Sequence, residues 1–446
     1  MTTARISIDD VIERTELGRF RWGLYIACGV FLMLEGYDSF LIANLAPTIA
    51  KGVGIPIPAM GRVFSAQAVG FAIAYYTIPM VADYVGRRGI VLATSVLFAV
   101  FTWLTTQVHS LDGLIAIRFL VFFALGGALP NVMALISELL PKPRQGSLLT
   151  SLYIAYGIGA ALAGWIGTFV ATLFSWQVAF WTGAIVLLIA MPFFYLYLPE
   201  SPRYLVLKNA RDRRIGKTLQ AIDPALRVAE GTEYTMAERD VPGIPLINLF
   251  RGGRAPQTLL LWLSFAAISF SATTLAVWLP SLFHILGRLD ATTAARMVSV
   301  SAIGSICGPL LVTWLLNRVG LPIALALMAA AAAVAMWACS FLALAPALGW
   351  LFGFAFGLLT IGAQAGLNGL VAITYPTAMR STGIGWATGC GRVTAIIGPS
   401  VAGAMLAAHW SAQSIYGLLA VPLLIGAVTI ALLHWTRAEH VARPAT

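Results

Sequence analysis

Long apolar segments separated by short polar turns run along the whole chain. Each segment holds roughly 20 residues or more, enough to cross a hydrocarbon core about 30 Å thick as a helix. Twelve segments are predicted, at 22–46, 61–81, 90–108, 112–139, 146–172, 178–198, 257–282, 293–316, 322–344, 347–373, 383–408 and 413–435. They are too long and too continuously apolar for barrel strands, which alternate. The pattern therefore predicts an all-α polytopic membrane protein.

One long polar stretch, at about 199–256, separates the sixth segment from the seventh. It divides the chain into an N-terminal six-helix half at 1–198, a cytoplasmic central loop at 199–256 and a C-terminal six-helix half at 257–446. Because the first 22 residues are polar and charged and lack a short apolar core, no cleavable signal peptide is predicted.

Composition agrees with a membrane protein. Hydrophobic residues make up 59% of the chain and charged residues 10%, with a mean hydropathy of +0.86; a soluble domain carries about 25% charged residues. The four cysteines all lie inside apolar segments, without the spacing of metal ligands. We therefore expect neither a metal site nor a disulfide framework.

Basic residues predict the orientation. Of the 28 Lys and Arg residues, 22 fall in the tails and turns on the side of the N-terminus and 4 on the opposite side. Because cytoplasmic loops carry the excess of Lys and Arg, both termini are predicted to be cytoplasmic, in a multi-pass protein of the cell inner membrane. The net charge of +10 then reflects topology and contact with anionic lipid, and no nucleic-acid partner is indicated.

Two acidic residues, Glu35 and Asp38, interrupt the first span. Carboxylates inside a membrane are costly and are functional by default. A spacing of three residues puts both on one helix face, and two close acids in a poorly hydrated site cannot both ionise easily. We therefore predict that Glu35 and Asp38 couple transport to protons. The alternative is a structural pair locked to an arginine of another helix.

Two cations, Arg118 and Arg392, also lie inside spans. Arg392 is deep in the eleventh span, where an arginine needs an anionic partner. That partner is either a protein acid, with Asp38 the obvious candidate, or an anionic substrate. Arg118 lies nearer the end of the fourth span, where it either binds substrate or extends its charged head to the interface.

Several polar and aromatic residues inside spans are candidates for substrate binding. Hydrogen-bonding amides and flat rings suit an aromatic ring that bears a carboxylate. The candidates are Gln364, Asn368, Tyr156, Trp278 and Trp386. The alternative for each is hydrogen bonding or packing between helices where glycine lets them approach.

The two halves repeat each other. ADYVGRRG follows the second span and LLNRVGLP follows the eighth, and internal repeats of this kind build many secondary transporters. DYVGRRG resembles the loop motif of the major facilitator superfamily. LPESPR (198–203) resembles a motif shared by the sugar, organic-ion and aromatic-acid branches of that superfamily. EGYD (35–38) and the stretches at 118–141 and 375–403 together resemble its aromatic acid:proton symporters.

The resemblance implies import of a small aromatic carboxylate, such as a hydroxybenzoate, in symport with protons by alternating access. Asp38 matches the family motif, whereas Glu35 stands where the family often has Asp. The resemblance also implies a cytoplasmic gate of ion pairs that latches the halves while the outside is open. Its predicted members are Asp83, Arg87, Arg88, Glu138, Arg144, Arg203 and Arg380.

Other functions stay open from the sequence. Nicotinate or a muconate-type dicarboxylate would use the same charges, whereas a sugar or polyol would not obviously need a deep arginine. A membrane receptor is disfavoured because there is no sizeable soluble output domain. No catalytic, nucleotide-binding or metal-binding motif is present, so we expect no enzyme and no cofactor. We expect the protein to function as a monomer.

Overall fold

The computed structural model describes residues 5–229, 231–236, 246–286, 289–341, 346–375 and 380–442. Within these ranges, twelve helices are long and apolar enough to cross a membrane. They confirm the predicted all-α membrane fold with twelve spans.

The first six spans, here called the N-half, comprise α2 (Arg19–Asn44), α4 (Met60–Val85), α5 (Arg87–Thr105), α6 (Leu111–Leu139), α7 (Lys142–Leu162) with α8 (Thr168–Leu173), and α9 (Trp176–Tyr197). The last six, the C-half, comprise α12 (Ala255–Leu286), α13 (Ala291–Val319), α14 (Leu321–Phe341), α15 (Pro346–Ala355) with α16 (Gly362–Thr374), α17 (Arg380–Ala407) and α18 (Ala412–Ala442). A short helix, α3 (Ala46–Val53), follows the first span.

The fifth and tenth spans each contain one wide π-helical segment, at Ala163–Gly167 and Phe356–Ile361. Such segments insert an extra residue into a helix and often occur at functional sites. Both pack on α13, where added Cβ atoms at Gly164 and Gly357 would overlap Ser299 and the backbone of Ser301. The glycines therefore allow α13 to lie close against both halves of the molecule.

Short elements cover the ends of the N-half helices on the side where the described chain begins and ends, here called the terminal side. Strand β1 (Arg5–Ser7) pairs in parallel with β2 (Glu233–Thr235). Three short helices complete this terminal-side cap: α1 (Ile8–Arg14), α10 (Pro202–Lys208) and α11 (Arg213–Ile222). Buried apolar residues of α1 fix the cap to the helices of the N-half, and an ion pair at 3.6 Å between Arg203 and Asp9 joins α10 to α1 within the cap.

The two halves meet mainly at the opposite end of the bundle, here called the far side. Ser65 on α4 donates to the carbonyl oxygen of Ile396 on α17 at 2.6 Å, and its Oγ lies 2.7 Å from the Oγ of Ser400. At the terminal side, the corresponding ends of α4 and α17 are open. Tyr84 is 83% exposed, and a Cβ at Gly385 would meet nothing within 4 Å. This conformation is closed at the far side.

Candidate functional site

The two membrane acids lie at mid-length in α2 and are both buried, Glu35 at 5% and Asp38 at 3% exposure. Their partners differ, although they are only one turn apart. Asp38 points into the N-half, toward α5 and α6, whereas the charges that act on Glu35 are those of Arg392 in the C-half and of Asp38 itself. Their spacing predicts one shared helix face, yet the two carboxyl groups interact with different parts of the molecule.

Asp38 forms a two-pronged ion pair with Arg118. Nη2 of Arg118 lies 2.7 Å from Oδ2 of Asp38, and Nη1 lies 3.2 Å from Oδ1. Thr102 on α5 donates to the same carboxylate at 3.5 Å. With its amide oxygen turned toward the guanidinium, Gln67 on α4 accepts from Nη2 at 2.9 Å and from Nε at 3.0 Å. The pair is therefore held from both sides by the N-half.

Arg118 is completely enclosed, with 0% exposure. Its guanidinium lies 5.3 Å from the ring of Phe122 and 5.5 Å from that of Phe180. The sequence left two alternatives open at this point. In the structure Arg118 does not extend to the interface, and Asp38 pairs with Arg118 and not with Arg392. The reason is that α2, α5 and α6 pack against one another and bring the short Asp38 side chain directly onto α6.

Glu35 is the less satisfied of the two acids. Among the described residues, its Oε2 atom is buried and has no hydrogen-bond partner. A buried polar atom without a partner is rare and costly, and it calls for an explanation. Because a protonated carboxyl needs fewer partners than an ionised one, this environment suits a group that binds and releases a proton.

Arg392 on α17 is half-buried and stacks on two rings of α4 in the other half. Its guanidinium carbon lies 4.7 Å from the centre of the Phe71 ring and 5.1 Å from that of Tyr75. Within the described part of the chain, no carboxylate lies within 4 Å of it and no hydrogen bond to it is formed. The Arg392 charge also acts on Tyr76, Tyr153 and Tyr156, so Arg392 lies in an aromatic surrounding between the halves.

Polar side chains of α7 and α16 border the same region. Tyr156 is half-buried, with its ring 6.2 Å from Phe40 in an edge-to-face contact. Gln364 follows the π segment of the tenth span and donates to Ser269 at 3.4 Å. A Cβ at Gly391, one residue before Arg392, would lie 2.7 Å from the same Ser269 Oγ, so Gln364 and the backbone of α17 both border Ser269. Asn368, one turn further along α16, is exposed.

The two tryptophan candidates lie in other surroundings. Trp278 has no exposed surface; its indole N–H donates to the carbonyl oxygen of Pro399 at 2.9 Å, and its ring packs edge-on against Phe64 of the N-half at 5.5 Å. Trp278 thus belongs to the closed far side. Trp386 is 47% exposed and stacks on Trp262 with 5.9 Å between ring centres.

The predicted gate residues of the N-half form one network. Arg87 pairs with Asp83 at 3.2 Å and with Glu138, which also accepts a hydrogen bond from Ser201. Arg88 donates to the carbonyl oxygen of Tyr195 at 2.7 Å. In this conformation the network joins α4, α5 and α6 to the residues before α10.

Arg203, Arg144 and Arg380 are the other predicted gate residues, and the charge of Arg203 acts on Glu138 of that network. Arg203 pairs with Asp9 at the N-terminal tail, as described above. Arg144 is exposed at the start of α7. Arg380 begins α17, but its side chain lies outside the described residues.

Four residues of the site were not predicted as members. Phe71 and Tyr75 hold Arg392, and Thr102 and Gln67 hold the Asp38–Arg118 pair. The spacing of Phe71 and Tyr75 at i and i+4 was the available signal, since such residues are neighbours on a helix; their rings stack at 5.7 Å. Thr102 gave no signal, because threonine is common in membrane helices.

The arrangement offers one cation without a protein carboxylate, one buried carboxyl without a full set of partners, several rings and an amide. Such a site is equipped to bind a small organic anion and to exchange a proton. In the part of the chain that the structure describes, no cluster of three or more His, Cys, Asp or Glu side chains is placed to hold a metal ion.

Comparison with known proteins agrees with this chemistry. The chain is 28% identical over 443 residues to the 4-hydroxybenzoate transporter PcaK of Pseudomonas aeruginosa, with 96% of each chain covered. It is 28% identical to the gallate transporter of Pseudomonas putida, covering 96% of this chain and 95% of that one. It is 30% identical to the 3-(3-hydroxy-phenyl)propionate transporter of Escherichia coli, covering 85% and 86%.

Solved structures share the fold. The nucleoside transporter NupG superposes with a TM-score of 0.71 at 14% identity, over 94% of this chain and 99% of that one. The sequence model of one protein family, the Major Facilitator Superfamily, matches residues 28–399 of this chain. The protein is a multi-pass membrane transporter and not an enzyme, and the three relatives compared by sequence are named as transporters of small aromatic acids. The chain belongs to the Major Facilitator Superfamily.

Proposed function

We propose that this protein imports a small aromatic carboxylate of the hydroxybenzoate type, in symport with protons, across the cytoplasmic membrane. One observation carries the proposal: Arg392 lies between the halves, surrounded by rings, with no hydrogen bond or ion pair to any described residue. A cation inside a membrane span pairs with an anionic partner. The substrate carboxylate is that partner.

The surroundings of Arg392 fit an aromatic acid. Guanidinium forks bind carboxylates with two parallel hydrogen bonds, and ring-lined pockets with a few polar groups orient aromatic ligands. The charge of Arg392 acts on Tyr156, and Gln364 bonds to Ser269, which borders Gly391. Asn368 and Trp386 lie nearer the terminal side, on the helices of Gln364 and Arg392 respectively. We propose that the amides bind the ring substituents. The relatives named for hydroxybenzoate and gallate support this substrate class.

Glu35 is the proposed proton carrier. It is buried, incompletely hydrogen-bonded and close to Arg392, so its protonation and the arrival of an anion at Arg392 favour each other electrostatically. Asp38, by contrast, is bound to Arg118 on both oxygens. We propose that the Asp38–Arg118 pair shapes the site and supports the position of α2, and that Glu35 loads and releases the proton.

Transport then requires the two halves to alternate. The far side, proposed to face the periplasm, is closed here by contacts such as Ser65 with Ile396, and the terminal side, proposed to be cytoplasmic, is open. In the opposite state the Asp83–Arg87–Glu138 network is proposed to close the terminal side. We propose that the monomer in the lipid bilayer is the functional unit.

Uptake of labelled 4-hydroxybenzoate into proteoliposomes tests the proposal. We expect saturable uptake that is stimulated when the outside is more acidic than the lumen. Arg392→Gln should abolish substrate binding, whereas Arg392→Lys should retain part of it, because a lysine keeps the charge and loses the fork. An uptake rate that does not change with the pH gradient would exclude proton symport. Transport of a neutral sugar in place of the acid would exclude aromatic carboxylates as the substrate class.

Other anions remain alternatives within the same geometry. Nicotinate and a muconate-type dicarboxylate each present a carboxylate to Arg392, and competition with labelled 4-hydroxybenzoate ranks them. A sugar or polyol leaves the Arg392 charge without a partner, so we expect no competition from either.

A further inference from the structure

Two rings on α4 contact Arg392, the cation proposed to bind the substrate. Phe71 is 8% exposed and stacks with Tyr75 at an interplanar angle of 24°. The guanidinium of Arg392 lies over both rings, within 5.1 Å of each centre. The rings come from the N-half and the arginine from the C-half, so this contact crosses the interface between the halves.

The contact with the rings leaves the hydrogen-bonding groups of Arg392 unused. A cation–π contact is an electrostatic attraction to the face of the ring, and within the described residues none of the five N–H donors of this guanidinium forms a hydrogen bond. Arg392 is therefore fixed in position by the rings while its donors stay available for a carboxylate.

Without the rings, Arg392 has a competing partner. The buried carboxyl of Glu35 has an oxygen without a hydrogen-bond partner among the described residues, and the charge of Arg392 is the opposite charge that acts on it. Arginine has a long, flexible side chain and pairs readily with a carboxylate. An Arg392 released from the rings would bind Glu35, and its donors would no longer be available to a ligand.

We propose that Phe71 and Tyr75 are positioning residues that hold Arg392 away from Glu35 and ready for the substrate carboxylate. This inference rests on the proposed function, because it specifies how that site keeps its anion affinity. It assigns the two rings to the arginine and not to the ring of the substrate.

The test is the binding of two acids to purified protein, measured by titration calorimetry. One acid, 4-hydroxybenzoate, has an aromatic ring; the other, cyclohexanecarboxylate, does not. The double variant Phe71→Leu/Tyr75→Leu should bind both acids about tenfold more weakly, the size expected for loss of cation–π contacts at a desolvated site. Tyr75→Phe keeps the ring face and should bind like the wild type.

A matched control and a rescue complete the experiment. Phe123→Leu removes a ring from a second stacked pair, Phe119 with Phe123 on α6, and should leave the affinity unchanged. Adding Glu35→Gln to the double variant removes the competing carboxylate, so the affinity should return to that of Glu35→Gln alone.

Three results would overturn the inference. Unchanged affinity in Phe71→Leu/Tyr75→Leu would show that the rings do not hold Arg392. Weaker binding of the aromatic acid alone would assign the rings to the substrate. Failure of Glu35→Gln to restore binding would exclude the competition. If the wild type binds neither acid, the proposed function itself fails and the inference with it.

Discussion

Two acids one helical turn apart in α2 have different surroundings. Asp38 has its charge matched by Arg118 and its oxygens occupied, whereas the opposite charge that acts on Glu35 is that of Arg392 in the other half of the molecule. The one extra methylene of Glu35 lets its carboxyl extend further from the helix. At the scale of single residues, the site therefore combines a fixed ion pair with a buried carboxyl that we propose as the proton carrier.

The Asp38–Arg118 pair should behave as a unit in stability measurements. Breaking a buried pair by removing one partner costs about 3–5 kcal/mol, because the other charge remains buried and unpaired. We expect Asp38→Ala and Arg118→Met each to lower the melting temperature of the purified protein strongly, and the double variant Asp38→Ala/Arg118→Met to melt above both. Additive losses in the double variant would contradict the pairing.

The sequence identified these charged residues but not their pairing. A charge inside an apolar span is visible from the sequence because the membrane makes it costly. Which arginine meets Asp38 depends on how α2 and α6 are rotated against each other, and side-chain spacing on one helix does not fix that. The contact of Phe71 and Tyr75 with Arg392 was not predicted for the same reason.

At the scale of elements, a side chain from the residues between α9 and α10 completes the start of α5. Helix α5 has no side-chain N-cap of its own, since Gly86 precedes it with φ of +103°. Instead, Oε1 of Glu200 accepts hydrogen bonds from the backbone N–H groups of Arg87 at 2.8 Å and Arg88 at 3.1 Å. A carboxylate at this position satisfies exposed donors and interacts favourably with the helix dipole.

Replacing this carboxylate should destabilise the protein measurably. Glu200→Ala removes the acceptor for two backbone donors and should cost about 1–2 kcal/mol, within the range for lost N-caps. Glu200→Gln keeps an acceptor oxygen and should cost less. Thermal melting in detergent gives the comparison; equal melting temperatures for the wild type and Glu200→Ala would show that the cap does not matter.

Hydropathy predicted the twelve spans because lipid imposes length and apolarity on every one of them. It could not predict the π segments at Ala163–Gly167 and Phe356–Ile361, which depend on packing against α13. The pairing of β1 with β2 was also missed. These strands are three residues each and lie more than 220 positions apart, so no local pattern indicates them.

At the scale of the whole molecule, the contacts describe a bundle closed at the far side. Cysteines in place of Ser65 and Ser400, in a variant lacking the four native cysteines, should form a disulfide on mild oxidation, because the two Oγ atoms lie 2.7 Å apart. The bond should stop transport, and a reductant should restore it.

A second cysteine pair on the terminal side serves as the control. Tyr84→Cys and Gly385→Cys place one cysteine on the exposed end of α4 and one on the open end of α17. This pair should form a disulfide much more slowly under the same conditions. Mass spectrometry of the digested protein identifies the linked peptides. If the control pair oxidises faster than the Ser65–Ser400 pair, the far side is not the closed side.

The central claim is that Glu35 carries the proton while Asp38 and Arg118 shape the site. It is tested most directly by uptake and counterflow of 4-hydroxybenzoate in proteoliposomes containing Glu35→Gln. We expect this variant to exchange substrate across the membrane, because Arg392 and the fold remain, yet to lose all accumulation driven by an acidic exterior. Accumulation by Glu35→Gln that still follows the pH gradient would contradict the claim.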